Sequence, residues 1–208
     1  RSGGKDGGRR QFGNLILTRR SPLQVLHHVL PSPADPKARF MSRQTTELLL
    51  STGSGTLRLM NTHLEFFSEK QQLAQVQRIL ELHEEACAQS REAGLDFPNT
   101  PFARIERSEK MLICGDFNFV PESASYQLIT SAFAEGVPDL LDAWNVVNPE
   151  NDRSPTCGIF DHKQWKNGPH CRDYFFLSQN LSPQIHQVSV NTETAASDHQ
   201  PIRITLEE

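Results

Sequence analysis

Met111-Leu112-Ile113-Cys114-Gly115-Asp116-Phe117-Asn118 is the stretch on which the reading of this chain turns. Four apolar residues in a row ahead of a glycine have the pattern of a buried strand. The glycine ends it, and Asp116 and Asn118, two residues apart, project to the same face of an extended segment. An aspartate placed so can be an anion for a hard cation or a base for a water, and the asparagine can hold that water or a phosphate oxygen. The same string also suits a plain turn, because Asp and Asn favour turns for backbone reasons.

Working outward, the residues before this strand change period. Ser68 with Gln71 three positions on has the capping-box spacing, and Leu73, Val76, Leu80 and Cys87, flanked by Ile79 and His83, make a helical stripe running to Gly94. Residues 95–109, with Pro98 and Pro101, read as a polar insertion loop between that helix and the strand. Four apolar stretches of strand length, at 14–18, 24–30, 45–51 and 56–61, precede the helix and suggest a meander, and residues 1–12 read as a flexible tail or cut loop. On the other side, 121–133 and 138–147 read as two short helices, and 173–178 and 202–206 as closing strands. Strands and helices alternate without strict βαβ regularity, so the expected class is α/β (α+β), a two-sheet mixed β-sandwich flanked by helices.

The 208 residues, 37% hydrophobic and 22% charged, suffice for one domain with a real core. Twenty-one cations against 25 anions leave a net charge of −4, which excludes a protein that holds nucleic acid mainly through a broad basic field. A phosphate-ester substrate would then need a metal ion to supply positive charge. A local groove of Arg19, Arg20, Arg39 and Arg43 remains compatible with an acidic chain. No apolar run approaches the length of a membrane-spanning helix, and a monomer is expected. Four cysteines without a CxxC pair read as buried free thiols, which favours a reducing, cytoplasmic setting, with Cys157 to Cys171 the one disulfide worth testing.

Two further strings share the chemistry of Asp116 and Asn118. Arg172-Asp173-Tyr174 puts an acid at the entry of an aromatic strand, and Ser197-Asp198-His199 puts an acid and an imidazole side by side before another. Read singly, each is a cap or a loop. Together and in this order, Gly115 to Asn118, Asp173-Tyr174 and Ser197 to His199 resemble the endonuclease/exonuclease/phosphatase superfamily, the deoxyribonuclease I-like fold. Asn61-Thr62-His63-Leu64 is similar to a fourth string of that family, and the segment 13–19 to a fifth, weaker one.

The resemblance implies a divalent-metal-dependent phosphoesterase, with phosphodiester hydrolysis the leading reading. Asp116 would activate the water or ligate Mg²⁺ or Mn²⁺, and Asp198 would ligate or orient the metal site. Asn118 would orient water or phosphate. His199 would donate to the phosphate, held in its tautomer by Asp173. Asn61 and His63 would contact a phosphoryl oxygen or the leaving group, although a histidine satisfied in the sheet wall is the plain alternative for His63. The substrate could be nucleic acid or a phospholipid headgroup, so a nuclease is the second enzyme reading and a catalytically degenerate binding module the third. The intact Asp116, Asn118, Asp173, Asp198 and His199 weigh against degeneracy. Two departures stand out. The family's early Glu metal ligand has no counterpart in the 12 residues before Gly13, so the chain is expected to correspond to the C-terminal two-thirds of such a domain. And Arg172 stands where the family has an isoleucine.

Overall fold

A computed structural model describes residues 12–207. The expected tail at 1–12 therefore falls almost wholly outside the described residues. Strands β1 (Gln24–Val29), β2 (Gln44–Thr52) and β3 (Gly55–His63) form the anticipated antiparallel meander. Helix α1 (Glu69–Arg91) then crosses over to β4 (Met111–Asp116), which pairs with β3 in parallel. Helix α2 (Ala124–Ile129), strand β5 (Leu140–Asp142), helix α3 (Ala143–Val147), strand β6 (Asp173–Ser178), a 3₁₀ turn (Gln179–Gln184) and strands β7 (Ile185–Val190) and β8 (Ile202–Leu206) complete the chain. The six-stranded mixed sheet runs β1-β2-β3-β4-β6-β5, and β7-β8 form a separate antiparallel pair.

The period of two along the central strands sorts their side chains into two cores. Met60, Met111, Ile113, Tyr174 and Phe176 pack with Val76, Ile79 and Leu80 of α1 and Ile129 of α2. Their neighbours Leu57, Leu59, Leu112, Phe175 and Leu177 face the other way, against α3 and Val188, Val190, Ile204 and Leu206 of β7 and β8. The layers are thus helices, large sheet, small sheet with α3. This is a mixed α/β architecture with a second small sheet, as the pattern implied.

Local departures have identifiable causes. Residues 14–18 form no strand. The segment 138–147 is a short strand before its helix, because Leu140 to Asp142 pair with β6. Ser68 caps α1 by accepting from the Gln71 amide (3.2 Å), but the Gln71 side chain donates to the Pro33 carbonyl instead of closing a capping box. Gln72 and Gln75 belong to the buried face of α1, while Leu73 is only half buried. Residues 95–109 are exposed over most of their length and lack regular structure. All four cysteines are free, and Cys157 faces His170 Nε2 at 3.3 Å instead of Cys171.

Candidate active site

The face that packs on the small sheet is apolar at one end of β3, β4 and β6 and polar at the other. Along β3, Leu57 and Leu59 give way to Asn61 and His63; along β4, Leu112 gives way to Cys114 and Asp116; the antiparallel β6 begins with Asp173 and continues through Phe175 and Leu177. Strand register aligns the polar ends, with His63 opposite Asp116 and Asp116 opposite Asp173. Three side chains with proton chemistry therefore stand in one row. Gly115 makes this row possible. Its φ is +148°, and a Cβ there would lie 1.9 Å from the Thr62 carbonyl oxygen, so only glycine lets β3 and β4 approach so closely.

After Asp116 the chain turns back at Asn118, whose left-handed φ of 57° is a conformation asparagine tolerates. The Asn118 amide donates to Asp116 Oδ1 (2.8 Å) and its side-chain Nδ2 donates to the Leu64 carbonyl (2.9 Å). The string therefore makes a turn, and the Asn118 side-chain amide is engaged with the Leu64 carbonyl. His63 Nε2 lies 3.4 Å and His199 Nε2 3.9 Å from Asp116 Oδ2. Asp173 sits behind His199, with Oδ2 2.8 Å from His199 Nδ1, and the same oxygen accepts from the Thr156 hydroxyl at 2.6 Å. Thr156 is buried and also accepts from the Arg172 and Asp173 amides, so it ties the Asp173 side chain to its own backbone.

His63, Asp116, Asn118, Asp198 and His199 line one cleft of about 480 Å³ with Arg43, Phe66, Phe67, Gln164 and Trp165. Asp198 is exposed on its rim. Asn61 is set back from the cleft, its amide nitrogen 3.8 Å from Cys114 Sγ. Of the arginines considered for a groove, Arg43 reaches this wall, where it is buried against Glu65 at 3.4 Å. Thr156, Trp165 and Phe66 had no sequence signal, lying in segments without periodicity.

Electrostatics set the row apart. Burial, reinforced by the charge of Asp173, pushes the Asp116 carboxyl up to about 6 despite the neighbouring His199. The hydrogen bond to Asp173 raises the His199 imidazole, whereas burial and the Arg43 charge push His63 down to about 4. His199 thus presents Nε2 to the cleft while Nδ1 is held by Asp173, and His63 is neutral. One ligand atom from each of Asp116, Asp173 and His199 lies within 4.8 Å of the others. Such a group could hold a metal ion, and Asp116 is the member not already engaged in the Asp173–His199 bond.

The model of the Endonuclease/Exonuclease/phosphatase family matches residues 2–199. The chain belongs to that family. No curated protein sequence matches it. Among solved structures, it is similar to an endonuclease/exonuclease/phosphatase from Bacteroides vulgatus (TM-score 0.61, 18% identity, covering 90% of this chain and 66% of that one). A mannosyl-6-phosphatase from Bacteroides thetaiotaomicron gives TM-score 0.61 and 18% identity over 89% of this chain and 66% of that one. A 3′ phosphatase from Neisseria, bound to a product DNA hairpin, gives 0.60 and 18% over 92% and 73%. The chain therefore spans 66% of the length of the two Bacteroides structures. Among the described residues, no helix is long and apolar enough to cross a membrane.

Proposed function

We propose that the protein is a divalent-metal-dependent phosphoesterase that hydrolyses phosphodiesters in the cleft between His63, Asp116 and His199. The observation that carries this reading is the row His63, Asp116, Asp173, closed by His199 at hydrogen-bond distance from Asp173. Asp116 would hold the cation, with Asp198 assisting from the rim. When bound, Mg²⁺ or Mn²⁺ neutralises charge on the phosphoryl group and makes water a better nucleophile.

The remaining work belongs to side chains. Asp116 takes a proton from the attacking water. Asn118 holds Asp116 in place through its amide and orients the water or phosphate. His199 donates from Nε2 to a phosphoryl oxygen, and Asp173, pinned by Thr156, keeps the imidazole in that tautomer. Neutral His63 donates to a second oxygen or to the leaving group. That relatives include a sugar phosphatase and an enzyme bound to DNA supports ester hydrolysis and leaves a nuclease as the second reading, with the same residues in the same roles.

The expected result is hydrolysis of bis-p-nitrophenyl phosphate with Mg²⁺ or Mn²⁺ and none after thorough chelation. Activity that survives chelation would sink the metal-dependent reading. Asp173→Asn and His199→Ala are further expected to be non-additive, because an acid that orients an imidazole has no work once the imidazole is gone. Losses in turnover that multiply in the double variant would show two independent functions.

A further inference from the structure

The catalytic cleft has a neighbour on the far side of Trp165. This second hollow, about 520 Å³, is lined by Gln164, Trp165, Lys166, Asn167, His170 and Arg172 together with Val120, and it shares Gln164 and Trp165 with the catalytic cleft. None of these lining residues is acidic, whereas the catalytic cleft carries Asp116 and Asp198. Its character also runs against the chain's net charge of −4.

Arg172 is the fixed element here, and the structure accounts for its departure from isoleucine. Its guanidinium lies against the corner that Phe66 and Trp165 make with each other, 5.1 and 4.7 Å from the ring centroids. Nη1 donates to the Asn118 carbonyl (2.6 Å) and Nε donates to His170 Nε2 (2.8 Å). His170 Nδ1 in turn faces the Gly168 carbonyl at 2.9 Å, so the ring is spent on holding the loop. Arg172 and Lys166 make no ion pair among the described residues. The nearest acid in the loop, Asp161, uses its carboxylate on the Lys163 and Gln164 amides. Trp165 Nε1 is buried without a partner. A cation fixed by ring contacts and hydrogen bonds, a second, exposed cation and the side-chain amides of Gln164 and Asn167 thus line a hollow whose own lining holds no counter-charge.

We propose that this hollow is a second anion subsite, taking a phosphate that the substrate carries in addition to the ester being cut, with Trp165 as the partition between the two. The inference rests on the neighbouring cleft being the hydrolytic site, and it narrows the substrate class to esters bearing two phosphates.

The test compares thymidine 5′-(p-nitrophenyl phosphate) with its 3′-phosphorylated counterpart, in Mg²⁺ at low ionic strength. The 3′-phosphorylated ester is expected to show a kcat/KM about fivefold higher, through KM, as for one exposed ion pair in a favourable setting. That advantage should shrink with added salt, vanish in Lys166→Ala and return in Lys166→Arg. Equal kcat/KM for the two esters, or a preference undiminished in Lys166→Ala, would overturn the subsite and leave the hydrolytic site standing. Cleavage of neither ester with Mg²⁺ or Mn²⁺ would overturn the hydrolytic reading itself, and the subsite with it.

Discussion

Replacing Asp116 by alanine is expected to lower phosphodiester turnover by roughly 10²-fold or more, the scale on which an acid–base or electrostatic group acts. Three contacts in the cleft converge on this carboxylate: the Asn118 amide on one oxygen, His63 and His199 on the other. Asp116→Asn separates chemistry from folding. An amide keeps the shape and can still accept from the Asn118 amide, but it can neither take a proton from water nor supply an anion to a cation. Turnover of bis-p-nitrophenyl phosphate at saturating Mg²⁺ should therefore fall as far in Asp116→Asn as in Asp116→Ala, with an unchanged thermal unfolding transition in the asparagine variant. A loss below about threefold in either variant would remove Asp116 from the site. The contrast with Asp198 is instructive, since that carboxylate stands exposed on the rim, where water screens it.

The part of this site that lies on β3, β4 and β6 was legible because two local rules coincide there. A buried strand shows as an unbroken apolar run, and the switch from apolar to polar at the strand end is written in consecutive residues, Cys114-Gly115-Asp116 on one strand and Met60-Asn61-Thr62-His63 on the other. The order of the three acidic strings then located Asp173, Asp198 and His199 through resemblance. What escaped lies where contacts are not local. Thr156 pins Asp173 from 17 residues away, and Trp165 reaches the cleft wall through ring contacts with Phe66, His170 and His199 and with Arg172 packed on it. Strand β7 was invisible for a different reason. His186 and Gln187 interrupt its apolar residues and the register shifts between Ile185 and Gln187, so no period of two survives. Residues 14–18 failed in the opposite sense: the composition suits a strand, yet Leu15 and Leu17 stay exposed.

A larger surprise sits inside the sheet, and it carries the strongest expectation for stability. Nothing in the local pattern marks Glu47 and Arg58 as core residues, yet both are buried between the sheet and α1. Arg58 Nε donates to Glu47 Oε1 (2.9 Å), Nη2 donates to the Leu82 carbonyl (3.2 Å) and Nη1 meets His83 Nδ1 (3.4 Å). Arg107 and His28 add contacts to Glu47 at 2.9 and 3.0 Å. The cluster ties β2 and β3 to the middle of α1. Burial alone would raise the Glu47 carboxyl, but His28, Arg58 and Arg107 outweigh it and hold the group down at about 2. Glu47→Gln leaves a buried guanidinium without its anion, which typically costs about 3–5 kcal/mol and, in a domain of this size, lowers Tm by about 10 °C at pH 7. The pH dependence gives the sharper check. Since the folded carboxyl lies below its ordinary 4.5, its stabilisation is present in full above about pH 4.5 and is lost as pH falls towards 2. A protonated Glu47 resembles a glutamine, so the gap in Tm between the native protein and Glu47→Gln should close over that window. His83, pushed down by burial to about 4 from 6.5, adds a separate acid loss between those values in both proteins, because only the unfolded chain takes up that proton readily. Thermal unfolding followed from pH 7 to pH 3 tests this. A gap of less than about 2 °C at neutral pH, or one that stays constant on acidification, would show that the buried cluster does not hold the helix to the sheet through charge.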